Sequence, residues 1–163
     1  ENEPLDNYDL ETFPAVLDDE WTILRGKVNS SVLESIDAKE YDDMYIGFEY
    51  SFSVVDLNEG NENVYRDGAV TLNMNTGYCS QPLNLMPDTK YYYRIFVYAA
   101  GKFTYGNIEE FTTQYYDAGL IIPSKAKRTR AIEAVTSGNA SEDRIVIFEN
   151  GKIITLEEIE TEE

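Results

Sequence analysis

Histidine is absent from these 163 residues, and cysteine occurs once, at Cys79. Without imidazole there is no Ser-His or Cys-His catalysis and no metal site built on histidine. A single thiol excludes an internal disulfide and a cysteine-rich zinc site. Bases are scarce as well: 13 Lys+Arg stand against 31 Asp+Glu, a net charge of −18. Such a field repels phosphate backbones, so neither a nucleic-acid partner nor docking on an anionic membrane surface is expected. No apolar run approaches the roughly 20 residues that span a bilayer, so no transmembrane segment is expected. Apolar content is 42%, with 13 tyrosines and 7 phenylalanines. That is ample for a packed core and argues against global disorder.

The apolar residues recur at period two over short stretches. Trp21–Val28 follows the acidic turn Asp18-Asp19-Glu20 and reads as a strand, with Leu24, Gly26 and Val28 inward and Trp21 on the outer face or at an edge. Met44–Phe52 is a second, with Ile46, Phe48, Tyr50 and Phe52 on one face. Leu57–Gly68, rich in Asn, Glu, Asp and Gly, reads as a loop. Val70–Met74 and Tyr78–Leu85 alternate, and Tyr91–Tyr98 is the strongest strand, turning at Ala100-Gly101-Lys102 toward Phe103-Thr104-Tyr105 and Phe111-Thr112-Thr113. Many short strands and no helix of any length predict two packed antiparallel sheets. In the strong strand Tyr91, Tyr93, Ile95 and Val97 should face inward, and Tyr92, Arg94, Phe96 and Tyr98 outward.

Leu85-Met86-Pro87-Asp88-Thr89-Lys90-Tyr91 is similar to the L-x-P-x-T-x-Y signature of fibronectin type III domains. The tyrosine run ending in Arg94, then Tyr105-Gly106 and Phe111-Thr112-Thr113, resembles the divergent branch of that family found in surface lipoproteins of gut-dwelling Gram-negative bacteria. Leu24-x-Gly26-x-Val28 and Gly47-Phe48-Glu49-Tyr50 match the same branch, and the resemblance covers roughly residues 12–113. It departs in a longer insertion between Tyr50 and Val70 and in the tail after Thr113. By the resemblance Tyr91 is a tyrosine corner, its hydroxyl bonded to backbone near Leu85 or Met86. Independently, Pro87 fixes φ and Asp88-Thr89 offers local side-chain-to-backbone bonds, so the chain turns there into the strand.

The tail differs from the rest. Residues 1–113 hold 21 acids and 7 bases, net −14, whereas residues 114–163 hold 10 and 6, net −4. Lys125, Lys127, Arg128 and Arg130 form a basic island, readable as a contact for an acidic partner, as a processing site, or as a segment lying back on the acidic body. Arg130–Val135 fits a helical turn or a short strand. Further on, Asn150-Gly151 between two apolar runs is a strong hairpin signal. A two-residue loop sets Glu149 opposite Lys152, Phe148 opposite Ile153, Ile147 opposite Ile154 and Arg144 opposite Glu157. Both faces of that ribbon are apolar, so it must lie against something; packing in cis, over Trp21 and Ile23, is favoured over adding its edge to another chain.

The expected fold is therefore all-β: an antiparallel Ig-like or fibronectin type III-like β-sandwich with a C-terminal β-hairpin extension. Residues 1–11 read as an acidic tether, 12–113 as the sandwich, 114–142 as a partly basic linker, and 143–163 as the hairpin and acidic tail. The structural residues are Tyr91, Pro87, Asn150 and Gly151. A candidate ligand strip comprises Tyr92, Phe96 and Tyr98 with Tyr45 from the neighbouring strand, beside Arg94 and Glu49, since rings, an arginine and a carboxylate suit a glycan or a protein. Aromatic residues are also good strand formers that pair across sheets. The acid pairs Asp18-Asp19, Asp42-Asp43 and Glu109-Glu110 read as solvated turns; a glycosidase needs carboxylates about 5–9.5 Å apart across a cleft. No D-x-D-x-D-G calcium loop occurs. No catalytic residue, metal or cofactor is expected. The expected role is a non-enzymatic adhesion or protein-binding module of an exported bacterial protein, at the cell surface or in the periplasm, monomeric, and lipid-anchored through a cysteine upstream of Glu1. The alternatives are a glycan-binding component of a polysaccharide-capture system and a small carboxylate-dependent hydrolase.

Overall fold

The computed structural model describes residues 9–17, 21–38, 44–66, 69–114, 124–136, 144–149 and 152–155. The strands are β1 (Leu10–Leu17), β2 (Thr22–Val28), β3 (Tyr45–Ser51), β4 (Val70–Asn73), β5 (Tyr78–Leu83), β6 (Lys90–Ala99), β7 (Lys102–Tyr105), β8 (Glu109–Thr112), β9 (Ile145–Glu149) and β10 (Lys152–Thr155); the helices are α1 (Ser30–Ala38), α2 (Val54–Glu59) and α3 (Ser124–Val135). All the strand pairings are antiparallel. One sheet has the order β1-β2-β5-β4-β9-β10; in the other, β3 pairs β6, which pairs β7 and β8. The two form a sandwich-like, mostly antiparallel β structure.

Between the sheets lie Leu24 and Val28 of β2, Phe48 of β3, Leu72 of β4, Tyr93, Ile95 and Val97 of β6, and Val146 and Phe148 of β9. The period-two reading of β6 holds inward: Tyr91, Tyr93, Ile95 and Val97 are buried. Tyr93 crosses the core. Its hydroxyl donates to the Phe13 carbonyl and accepts the Arg25 N–H, and burial pushes its pKa up. The Phe13 carbonyl adjoins a break in β1 register between Phe13 and Val16, and Arg25 donates twice to Pro14 O there. The orphaned carbonyls of the bulge are thus satisfied. Tyr91 lies against the corner before β6: the Met86 N–H donates to its hydroxyl at 3.1 Å, and the Thr113 hydroxyl donates to Met86 O at 2.6 Å.

Three expectations need correction. Helix is present. α1 follows Asn29, whose side chain accepts the Val32 N–H, and Val32 and Ile36 bury one face at i, i+4 spacing. α2 starts at Ser53, which accepts the Asp56 N–H, so Leu57–Glu59 belong to a helix rather than a loop. The third is the tail. Arg130–Val135 is helical within α3, and the covering element on the larger sheet is this helix, not the hairpin. Arg130 lies over the Trp21 ring at 6.0 Å, and Trp21 and Ile23 are buried. The hairpin instead extends the sheet edge, β9 pairing with β4 from Val70↔Phe148 to Asn73↔Ile145. A ribbon apolar on both faces gains more in line with a sheet, where Val146 and Phe148 enter the core and backbone bonds are also made, than laid flat across it. Its internal register is the expected one, Glu149↔Lys152 through Ile147↔Ile154. Asn150, Gly151 and Glu157 lie outside the described residues.

Candidate functional site

The outer face of the smaller sheet gathers the residues singled out for ligand contact, because strand register sets them in rows. Tyr45 pairs with Tyr98, and Tyr98 with Phe103; Gly47 pairs with Phe96, and Phe96 with Tyr105; Glu49 pairs with Arg94. The β6–β7 turn that creates these rows holds Ala100 and Gly101 at positive φ, 53° and 78°, as a two-residue hairpin loop requires. In the first row Tyr45 and Tyr98 stand 6.0 Å apart, and Tyr98 and Phe103 4.8 Å. Phe103 and Tyr105 are 5.6 Å apart with ring planes 3° from parallel. Tyr45, Phe103 and Tyr105 are about two-fifths exposed, at 37%, 41% and 37%.

Beneath them the face is closed. Phe96 lies over Gly47, where an added Cβ would come within 3.2 Å of its ring; the missing side chain is what lets the ring lie flat. Glu49 is fully buried and holds two guanidiniums, Arg94 Nε at 2.9 Å on Oε1 and Arg66 Nε at 2.7 Å on Oε2. Arg94 also donates to Leu57 O of α2 at 2.8 Å, so α2 roofs the ion pair. The Arg94 guanidinium sits 3.7 Å from the Tyr105 ring centroid, and that of Arg66 5.1 Å from the Phe103 centroid. The Tyr105 pKa is raised, by burial first and then by Glu49, against the opposing pull of Arg94 and Arg66.

The expected strip therefore divides. Tyr45 and Tyr98 reach the surface; Glu49, Arg94 and Phe96, expected to face solvent, are buried on that same side and support the rings. Tyr92 stands apart, opposite Glu110 of β8 with Lys90 over its ring at 5.5 Å. The reading of the sequence missed Phe103, Tyr105 and Arg66. For the first two the signal was present: they alternate in β7 across a two-residue turn, which fixes them opposite Tyr98 and Phe96. Arg66 lies 17 residues from its partner Glu49, and no local pattern joins them.

Other chemistry-bearing groups are occupied in structural ways. Glu109 and Glu110 alternate on β8, one bonded to Asn107 and the other ion-paired with Lys90, so they do not face each other. Cys79 is buried and its pKa is raised by that burial, which keeps it a protonated, unreactive thiol. Among the described residues no three His, Cys, Asp or Glu side chains cluster to hold a metal, and no helix is long and apolar enough to cross a membrane. Two shallow recesses, of about 390 and 340 Å³, flank β1 and β2 and contain none of the strip residues. Comparison with protein-family models, with curated proteins and with solved structures finds no match.

Proposed function

We propose that the chain is a non-enzymatic binding module of an exported bacterial surface protein, of Ig-like or fibronectin type III-like sandwich type, that adheres through the outer face of its smaller sheet. The sandwich type is supported by the strand order: β1-β2-β5-β4 facing β3-β6-β7 follows the ABED and CFG order of constant-type Ig domains, and Tyr91 makes the backbone contact of a tyrosine corner. The function is supported by one observation above all. Four rings, Tyr45, Tyr98, Phe103 and Tyr105, stand in contact on a face that no described element covers, and the arginines ion-paired with Glu49 lie against two of them, Arg94 against Tyr105 and Arg66 against Phe103. Rigid aromatic groups give large contact area at small entropic cost, which is what recognition surfaces use.

A glycan is the partner this face suits best. Tyr45 and Tyr98, beside the stacked pair Phe103 and Tyr105, offer exposed aromatic surface against which the carbon face of a sugar packs. A protein partner, the other adhesive reading, is favoured by the flatness of a sheet face and its aromatic enrichment. A glycan array probed with the full chain and with Phe103→Ala separates them. Binding to saccharides that Phe103→Ala abolishes supports the glycan reading; silence across the array leaves the protein reading in place.

A further inference from the structure

Register lines up three charged residues on the outer side of the smaller sheet. The bridge Tyr50↔Tyr65, with backbone bonds of 2.9 Å in both directions, places Arg66 at the next position opposite Glu49. Pairing of β3 with β6 places Arg94 opposite Glu49 on the other side. Each arginine donates through Nε to its own oxygen of the carboxylate, Arg94 to Oε1 and Arg66 to Oε2. Helix α2 closes the row: Leu57 O accepts from Arg94, and the Arg66 guanidinium passes beside Gly60, the left-handed residue that ends the helix. Both guanidiniums also meet the rings of β7. Arg94 lies on the Tyr105 ring, and Arg66 lies against the Phe103 ring and bonds the Tyr105 hydroxyl. β7 itself is four residues long, and among the described strands it pairs only with β6.

From this we propose that Glu49 is a positioning residue for the aromatic face, holding Phe103 and Tyr105 in place through Arg66 and Arg94. What the positioned rings serve rests on the binding reading of this face; the positioning itself does not. A ring that is two-fifths exposed on a short edge strand keeps rotamer freedom unless something outside the strand removes it, and freedom lost on binding weakens affinity. Guanidiniums suit the task, because they are planar and stack on rings while their N–H groups stay bonded. The two arms are unequal. The Arg94 side chain is 10% exposed and has a second anchor at Leu57 O, whereas that of Arg66 is 34% exposed. A glutamine at position 49 offers one acceptor and one donor, so it satisfies one Nε–H and turns its amide against the other. Arg94 is then the arm retained, and Arg66 is released together with its hold on Phe103.

The test follows the arginine Nε–Hε and aromatic ring resonances of the full chain by NMR, with no ligand present. Expected in the wild type are two Nε–Hε signals protected from exchange, that of Arg94 in contact with Tyr105 and that of Arg66 with Phe103. In Glu49→Gln the Arg66 signal should be lost to solvent exchange and the Phe103 ring resonances should move. The Arg94 signal and the core rings Phe48 and Tyr93, which pack on each other, should hold. Arg66→Gln should move Phe103 and Tyr105 alone, and it stands by itself should Glu49→Gln fold poorly. Arg66→Lys keeps the charge but not the planar fork, and should not restore the rings. Phe103 and Tyr105 resonances unchanged in both Arg66 variants overturn the proposal. Shifts that spread equally through Phe48 and Tyr93 overturn it as well, since they mark a merely structural role. On the glycan array Arg66→Gln should weaken retention about tenfold, the loss expected when two rings must be ordered on binding. Silence of the wild-type chain there removes the glycan reading alone, and the ring resonances still decide the positioning.

Discussion

The two outer faces of the sandwich invert the usual arrangement. Under α3 the larger sheet presents Thr71, Asn73 and Ser80, groups at home in water, yet all three are buried. Two of them bond to the helix: the Asn73 amide donates to Val135 O at 2.8 Å, closing the C-terminal end of α3, and the Ser80 hydroxyl donates to Ala131 O at 2.7 Å. The smaller sheet presents Tyr45, Tyr98, Phe103 and Tyr105, groups that a fold ordinarily hides, and no described element covers them. The lesson is that coverage follows satisfied polar bonds as well as apolar area. Among the described side chains of α3 only Ala131 and Val135 are buried, and the two hydrogen bonds to Asn73 and Ser80 add to what that burial contributes.

The comparison can be attacked first where the tail joins the sheet. Deleting residues 143–163 removes Phe148 and Val146 from the core, a loss of roughly 3–6 kcal/mol, and bares the β4 edge. The truncated chain should melt far lower and self-associate; an unchanged melting midpoint with good solubility would show that the hairpin does not belong to this sheet. Next is the layer beneath the open rings. Glu49→Gln leaves two arginines without their carboxylate and should cost about 3 kcal/mol, roughly 6–12 °C in melting temperature for a chain of this size, measured by calorimetry. The covered face is tested by Asn73→Ala, which strips the cap from α3. About 1–3 kcal/mol is at stake, and amide exchange should accelerate across α3 while β6 and β7 stay protected.

Alkaline pH offers a milder probe of the core between the faces. Cys79 and Tyr93 both hold their protons more tightly folded than unfolded, from ordinary values of 9.0 and 10.0. Below about pH 9 neither state releases them and stability is indifferent to these groups. Above it the unfolded chain deprotonates first, at the thiol and then at the phenol, so stability falls as pH rises. Denaturant midpoints between pH 8 and 11 should show this decline, and Tyr93→Phe should flatten its upper part.

Much of this architecture was legible in the chain. Period two identified β6 and its inward set and, in β3, the buried Ile46, Phe48 and Tyr50, though Phe52, expected on the same face, lies past the strand and is exposed; the Ala100-Gly101 and Asn150-Gly151 signals gave the right pairing partners on either side. What failed did so for physical reasons. α2 was hidden by its composition: Ser53 and Asp56 are cap and first-turn residues of a helix, but in company with Asn58, Glu59 and Gly60 they look like turn residues. α1 was overlooked although Asn29 ahead of Val32 and Ile36 is a start signal with helical spacing. The burial of Glu49 and Arg94 was not readable at all. Alternation assigns them correctly to the outer side, but their cover comes from Leu57 and Arg66, and which loop folds over a sheet is decided by tertiary contacts.

The central claim is that the open aromatic face is the working surface, and its direct test is to map where a ligand binds. Amide shifts of the isotope-labelled chain should be followed on adding a saccharide retained from the array. The account predicts the largest changes at Tyr45, Tyr98, Phe103, Tyr105 and Arg66, with α3 silent. Changes centred instead on α3, or in the recess of Phe13, Arg25 and Tyr78, would contradict it.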